Sequence, residues 1–269
     1  WPGAIDAGHA AVEQVMPRAR FSITSTDRQL VLDALRGTAV VWMTVFHFSF
    51  DLNHFGFIQQ DFYRSPVWTV QRTCILSLFL LCAGFGQAMA VHAGQTWARF
   101  WRRWLQIAGC AVAVSVGSAF MFPNSWIYFG VLHGMAVMLL ICRATASWGV
   151  WLWWCGLCAV SLAFFAPNLH ASLSLPDVWD GKGLNWIGLI SHKPITEDYV
   201  PVLPWLGVMW WGMAAGQWVL ARGRMDRLTR VTKGLPLRHL AWIGRWSLSW
   251  YMVHQPLLIG LLSLIVSLR

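Results

Sequence analysis

The stretch MTVFHFSFDLNHFGF, from Met43 to Phe57, places His47, Asp51 and His54 within eight residues of one another. An imidazole takes up and returns a proton near neutral pH, and a carboxylate within hydrogen-bond reach fixes its tautomer and supports the imidazolium. The three groups together suit a general base. Upstream the pattern continues. Arg36, Val40, Thr44, His47, Asp51 and His54 follow at steps of four, four, three, four and three, which keeps side chains on one face of a helix. A helix that persists to residue 54 carries them as one polar stripe opposite a face of Val, Trp and Phe.

The rest of the chain decides what surrounds that stripe. Hydrophobic residues make up 57%, charged residues only 12%, and tryptophan occurs 20 times in 269 positions. With a mean hydropathy of +0.51, this is the composition of a polytopic membrane protein. Crossing about 30 Å of hydrocarbon at about 1.5 Å per residue takes about 20 apolar residues. Seven stretches qualify, near residues 30–50, 67–91, 104–122, 126–143, 148–166, 201–221 and 247–267. Lipid cannot satisfy an open strand edge and no segment alternates like a barrel strand, so the expected fold is all-α, a helix bundle in the membrane. A charged side chain at depth costs a few kcal/mol and normally faces a bundle interior or a wet cavity. The plainer alternative is that the stripe sits at the interface and pairs within itself.

Lys and Arg mark the cytoplasmic side. Arg18, Arg20, Arg28, Arg99, Arg102, Arg103 and Arg143 fall on one side, together with Arg222, Arg224, Arg227, Arg230, Lys233, Arg238 and Arg245. Arg64, Lys182, Lys193 and Arg269 fall on the other, among the acids Asp61, Asp177, Asp180, Glu197 and Asp198. The N-terminus is expected in the cytoplasm and the C-terminus outside. The net charge of +9 is then explained by topology and anionic membrane lipids, and nucleic acid is not an expected partner. Residues 1–29 lack a basic start followed by an apolar core, so a cytoplasmic arm is expected there and a transmembrane domain over 30–269.

Other polar groups in the spans carry less weight. All six cysteines lie in predicted spans, against a disulfide framework, and the Cys155/Cys158 pair lacks a second pair that would hold zinc. No metal is expected. His133 and His254 each stand alone in a span, where a helix-to-helix hydrogen bond is the ordinary role. Arg72 is either a counter-ion for Asp51 or a snorkelling anchor. Gly84 and Gly86 suit close helix packing.

Four motifs in order, DALRGTAVVWMTVFHFSFDLNHFGF, WIYFGVLHGMAV, EDYVPVLPWLGVMWWGMAAGQ and IGRWSLSWYMVHQPLL, make the chain similar to the bacterial branch of the heparan-alpha-glucosaminide N-acetyltransferase catalytic-domain family. That family belongs to a wider transmembrane acyltransferase superfamily, and the resemblance covers residues 28–267. It implies an enzyme of the bacterial inner membrane that uses cytoplasmic acetyl-CoA and acetylates an amino sugar or other glycan on the far side. Carried over, His54 matches the family's catalytic histidine and His47 its polar partner, with Asp51 standing where animal members have a Gly-rich, lysine-containing stretch. The shorter spacing leaves the choice between His47 and His54 open.

Phosphates of acetyl-CoA need cations on the cytoplasmic side. Arg36, Arg99, Arg102, Arg103 and Arg245 are the candidates, with His133 placed among the cofactor-binding residues. The connection from Pro167 to Val200, with Trp179, Asn185, Trp186, His192, Glu197 and Asp198, suits sugar recognition and equally suits interfacial filling. The chain is shorter than animal members, and a homodimer is a candidate for completing the acceptor path. The alternative function is a proton-coupled transporter with the His/Asp stripe as relay, although no inverted repeat is visible.

Overall fold

The structure, a computed structural model, describes residues 25–173, 176–223 and 235–268. Most of the proposed arm (1–24), with Arg18 and Arg20, lies outside the described residues, as do Arg224, Arg227, Arg230, Lys233 and Arg269. Among the described residues there are eight α-helices and no named strand. They are α1 (Ser25–His54), α2 (Pro66–His92), α3 (Trp97–Met121), α4 (Val131–Ala144), α5 (Trp151–Leu173), α6 (Val202–Ala221), α7 (Leu235–Arg245) and α8 (Ser247–Ser267).

Each of the seven apolar stretches became a helix, but five are long and apolar enough to cross a membrane: α1 from Leu30, α2, α3, α5 and α8. α4 has 14 residues, about 21 Å at the usual rise, because residues 122–130 turn before it begins. α6 carries Trp205, Trp210, Trp211 and Trp218 with Gly207, Gly212 and Gly216, which dilute its hydropathy. α3 begins two turns before the predicted span, so Arg99, Arg102 and Arg103 sit on its first turns. α5 runs through Pro167 to Leu173, absorbing the start of the predicted connection. Proline is tolerated there because neighbouring groups re-satisfy the freed carbonyl of a membrane helix. The eighth helix, α7, is a short amphipathic one of 11 residues, outside the seven apolar stretches because its apolar residues cover one face only.

Glycines set the closest crossings. A Cβ on Gly84 of α2 would strike the backbone of Met209, and one on Gly212 of α6 the backbone of Leu81. α2 and α6 therefore pack backbone to backbone, as membrane helices do when small residues line the seam. Gly37 of α1 and Gly244 of α7 repeat the device against Leu240 and Asp33. Leu80, Met138, Leu152, Met209 and Met213 fill the core among α2, α4, α5 and α6. α1, α2, α3, α4 and α8 stand round a cavity, with α5 behind α6 and α7 laid against α1.

Gly109 on α3 has open space where a Cβ would go, which gives an internal control. Gly212→Val is expected to lower the thermal midpoint in detergent by the equivalent of about 1–3 kcal/mol of overpacking, with Gly109→Val near wild type. Equal midpoints would mean that the α2/α6 crossing is looser than described.

Candidate active site

α1 is helical to residue 54, so the spacing of the stripe acts as read. Arg36, His47, Asp51 and His54 all line a large cavity, of about 1590 Å³, with Met43, Phe46 and Phe50 between them. Small-molecule pockets run to about 300–1,000 Å³, so this space has room for two ligands end to end. Its wall continues from Arg103, Arg245 and Gln95 at the α1 N-terminal end to Tyr63, Arg72, Lys193 and Asp198 at the other.

The polar centre is built by α1 and α8 together. Gln255 donates Nε2 to Asp51 Oδ1 at 2.8 Å, and Trp250 donates its indole N–H to Thr44 Oγ1 at 2.8 Å, which sets the register of the two helices. Asp51 is 2% exposed. The His47 and His254 rings stand 5.1 Å apart between centroids. His54, the last residue of α1, is exposed and has its ring against Phe55 at 5.4 Å. At this centre three buried acceptor atoms have no hydrogen-bond partner, Asp51 Oδ2, His254 Nε2 and Gln255 Oε1. The stripe did not reveal His254 and Gln255 as part of this centre. Their signal in the sequence is a His-Gln-Pro run inside an apolar span, and only the register of α8 on α1 gives it meaning.

At the α1 N-terminal end Asp33 holds two arginines, Arg36 at 3.1 Å and Arg245 at 3.5 Å. Arg103 lines the same end, whereas Arg99 and Arg102, exposed as Arg103 is, do not line the cavity. His133 is also off the wall. Its Nε2 lies 3.0 Å from Ser115 Oγ, and its Nδ1 accepts from the Gly130 N–H at 3.3 Å, so it links α3 to the start of α4.

The opposite mouth is shaped by the connection before α6. Asp198 Oδ2 accepts the Val131 N–H at 2.7 Å, capping α4 from 67 residues away, and Gly130 leaves the carboxylate room where a Cβ would strike it. The Phe129 carbonyl accepts from Val200 N at 3.2 Å and the Ser125 carbonyl from Glu197 N at 2.8 Å. Burial holds the Asp198 carboxyl above the usual carboxylate range. Arg72 and Lys193 face the cavity beside it, and burial followed by the neighbouring Arg72 charge pushes the Lys193 ammonium down. Arg72 thus stands with Lys193 and Asp198, and its sequence-based role as counter-ion to Asp51 has no ion pair behind it among the described residues. Asn185 is 1% exposed, donating to the Tyr128 hydroxyl at 2.8 Å, and so works inside the loop. Trp179, Trp186 and His192 are not on the cavity wall.

The fold and this site define an integral membrane protein of helices enclosing a polar, histidine-bearing cavity. The family described as "Heparan-alpha-glucosaminide N-acetyltransferase, catalytic" matches residues 28–256, and the chain belongs to it. The match takes in α1 to α7 and α8 as far as the polar centre. No curated protein and no solved structure matches the chain.

The Asp198 cap can be tested apart from any reaction. Asp198→Ala is expected to cost about 0.5–2 kcal/mol, the usual loss for a removed N-cap, and Asp198→Asn less, because an amide oxygen still accepts. Thermal melting in detergent reads both, and an alanine variant as stable as wild type would show that the loop does not depend on this bond.

Proposed function

We propose that the chain is an acetyl-CoA-dependent transmembrane acetyltransferase, moving an acetyl group from cytoplasmic acetyl-CoA to an amino sugar or other glycan on the far side. The carrying observation is the continuous cavity, lined by arginines at one end, by His47, Asp51 and His54 along its length, and by a polar loop at the other. Family membership supports the class of reaction. The positive-inside distribution supports the orientation, with the N-terminus and the arginine end in the cytoplasm.

In this reading Arg36, Arg103 and Arg245 take the phosphates of acetyl-CoA, since guanidinium groups pair with phosphate bidentately. The pantetheine arm runs along the apolar wall of Met43, Phe46 and Phe79, and the thioester reaches the histidines. Arg99, Arg102 and His133 are off the cavity wall and are given no part in this reading. The acceptor enters past Arg72 and Lys193. Its nitrogen or oxygen attacks the thioester carbonyl carbon, a C–N or C–O bond forms and the C–S bond breaks. An imidazole of α1 receives the acceptor's proton, and CoA leaves as the thiol once that proton is returned.

A transporter would use the same passage with the stripe as relay, and thiol chemistry separates the two. Purified protein given acetyl-CoA and a panel of amino sugars is expected to release CoA thiol only when an acceptor is present. Release is expected to fall by about 10²–10⁴-fold in His47→Ala or His54→Ala, whichever removes the base. Arg36→Ala is expected to raise KM for acetyl-CoA about tenfold, the worth of roughly one charge-assisted hydrogen bond. No release with any acceptor, together with no binding of acetyl-CoA, would remove the enzyme reading and favour ion-dependent solute uptake.

A further inference from the structure

The centre of the cavity holds an imidazole that α1 does not supply. His254 of α8 directs Nδ1 at two carbonyl oxygens of its own helix, Tyr251 at 2.8 Å and Trp250 at 3.1 Å. A carbonyl only accepts, so Nδ1 carries the hydrogen and Nε2 is left as a bare lone pair. That Nε2 is buried and unpartnered. The nearest aromatic neighbour across the helix seam is His47, with centroids 5.1 Å apart and planes at 60°. Two imidazoles joined by an N–H···N bond of about 2.9 Å have centroids about 5 Å apart. The observed spacing of the two rings therefore matches that of such a bond without displacement of either helix.

Neither His47 nor His54 has a side-chain hydrogen bond among the described residues, so neither tautomer is fixed by α1 alone. His254 answers this for His47 and not for His54, which lies at the exposed end of α1. We propose that His47 is the base and that His254 is its positioning residue: Nε2 of His254 receives the N–H of one His47 nitrogen and so presents the other as the lone pair that takes the acceptor's proton. Once His47 is an imidazolium, both of its nitrogens are donors, and the same His254 lone pair stabilises the charged form, with the Asp51 carboxylate one helical turn away. The balance is that of the proposed reaction, on which this inference rests. The acceptor loses one proton to His47, the acetyl carbon exchanges sulfur for nitrogen or oxygen, and the His47 proton passes to the departing CoA sulfur.

The test uses the full chain in detergent, with CoA release as readout and acetyl-CoA binding as the check on folding. His254→Leu removes the acceptor while keeping bulk, and His254→Gln returns an acceptor oxygen near the place of Nε2. The leucine variant is expected to lose kcat at least about tenfold with KM for acetyl-CoA unchanged. The glutamine variant is expected to recover most of that loss, and His47→Ala combined with His254→Leu to be no worse than His47→Ala alone. If the leucine variant is not recovered folded, His254→Met takes its place in the same comparison. Leucine and glutamine variants of equal rate, or a leucine loss that multiplies with that of His47→Ala, would overturn the pairing while leaving the acetyltransferase reading intact. A wild-type protein that binds no acetyl-CoA and releases no thiol would overturn the reaction itself.

Discussion

A carboxylate taken out of water must be hydrogen-bonded, and the bond from Gln255 to Asp51 is where this bundle meets that requirement. It joins residues 204 positions apart and fixes which faces of α1 and α8 look inward. Trp250 on Thr44 sets the same register two turns earlier on α1. With those faces inward, His47 and His254 come together, and the outward faces of both helices keep Val41, Val45, Val253 and Leu257 for lipid. A bundle that turned Asp51 outward would place an ionisable group in hydrocarbon at a cost of a few kcal/mol, so the polar centre constrains the helix packing as much as the packing holds the centre.

The two ends of the cavity are held by different means. At the α1 N-terminal end the scaffold is ionic, with one Asp33 shared between Arg36 of α1 and Arg245 of α7. The glycine crossings of α1 and α7 bring the helices close enough for that sharing. Each arginine keeps part of its fork free, which suits a site for a phosphate-bearing ligand. At the other end the scaffold is a loop pinned by backbone bonds and the Asp198 cap, which leaves Arg72 and Lys193 facing inward. Rigidity at the mouth comes from neutral and capping bonds, and charge is kept for the cavity.

Much of this was legible before the structure. The apolar stretches mark seven helices, five of them long and apolar enough to cross a membrane, because hydrocarbon thickness enforces a length that composition displays directly. The α1 stripe was legible because it is local: its residues share a helix, and 3.6-residue periodicity alone puts Arg36, His47, Asp51 and His54 on one wall. What failed to show depends on contacts between distant segments. Three arginines crowd the first turns of α3, and nothing in their spacing tells that Arg103 meets the cavity while Arg99 and Arg102 do not. His133 and His254 read alike, each a lone histidine in a span. Packing separates them, one spent on Ser115 and the Gly130 N–H and the other left with an open lone pair. The helix boundaries drifted where amphipathic or proline-bearing turns extend a helix beyond its apolar core, as at the start of α3 and the end of α5.

Chemical competence at the centre is visible in what the protein leaves unsatisfied. Asp51 Oδ2, His254 Nε2 and Gln255 Oε1 are all acceptors, and none meets a donor. A buried polar atom without a partner costs about 1–3 kcal/mol, and native structures keep few of them. Other such atoms among the described residues, Gln87 Oε1, Gln95 Oε1, Arg143 Nη1 and Asn185 Oδ1, belong to other sites, whereas two neighbours on α8 and one on the facing turn of α1 gather at a single seam. In the proposed reaction, the donors for this cluster are the N–H of a rotated or protonated His47 and the hydrogens of an incoming amine or hydroxyl. Acceptors held ready along the path of a proton are a form of preorganisation.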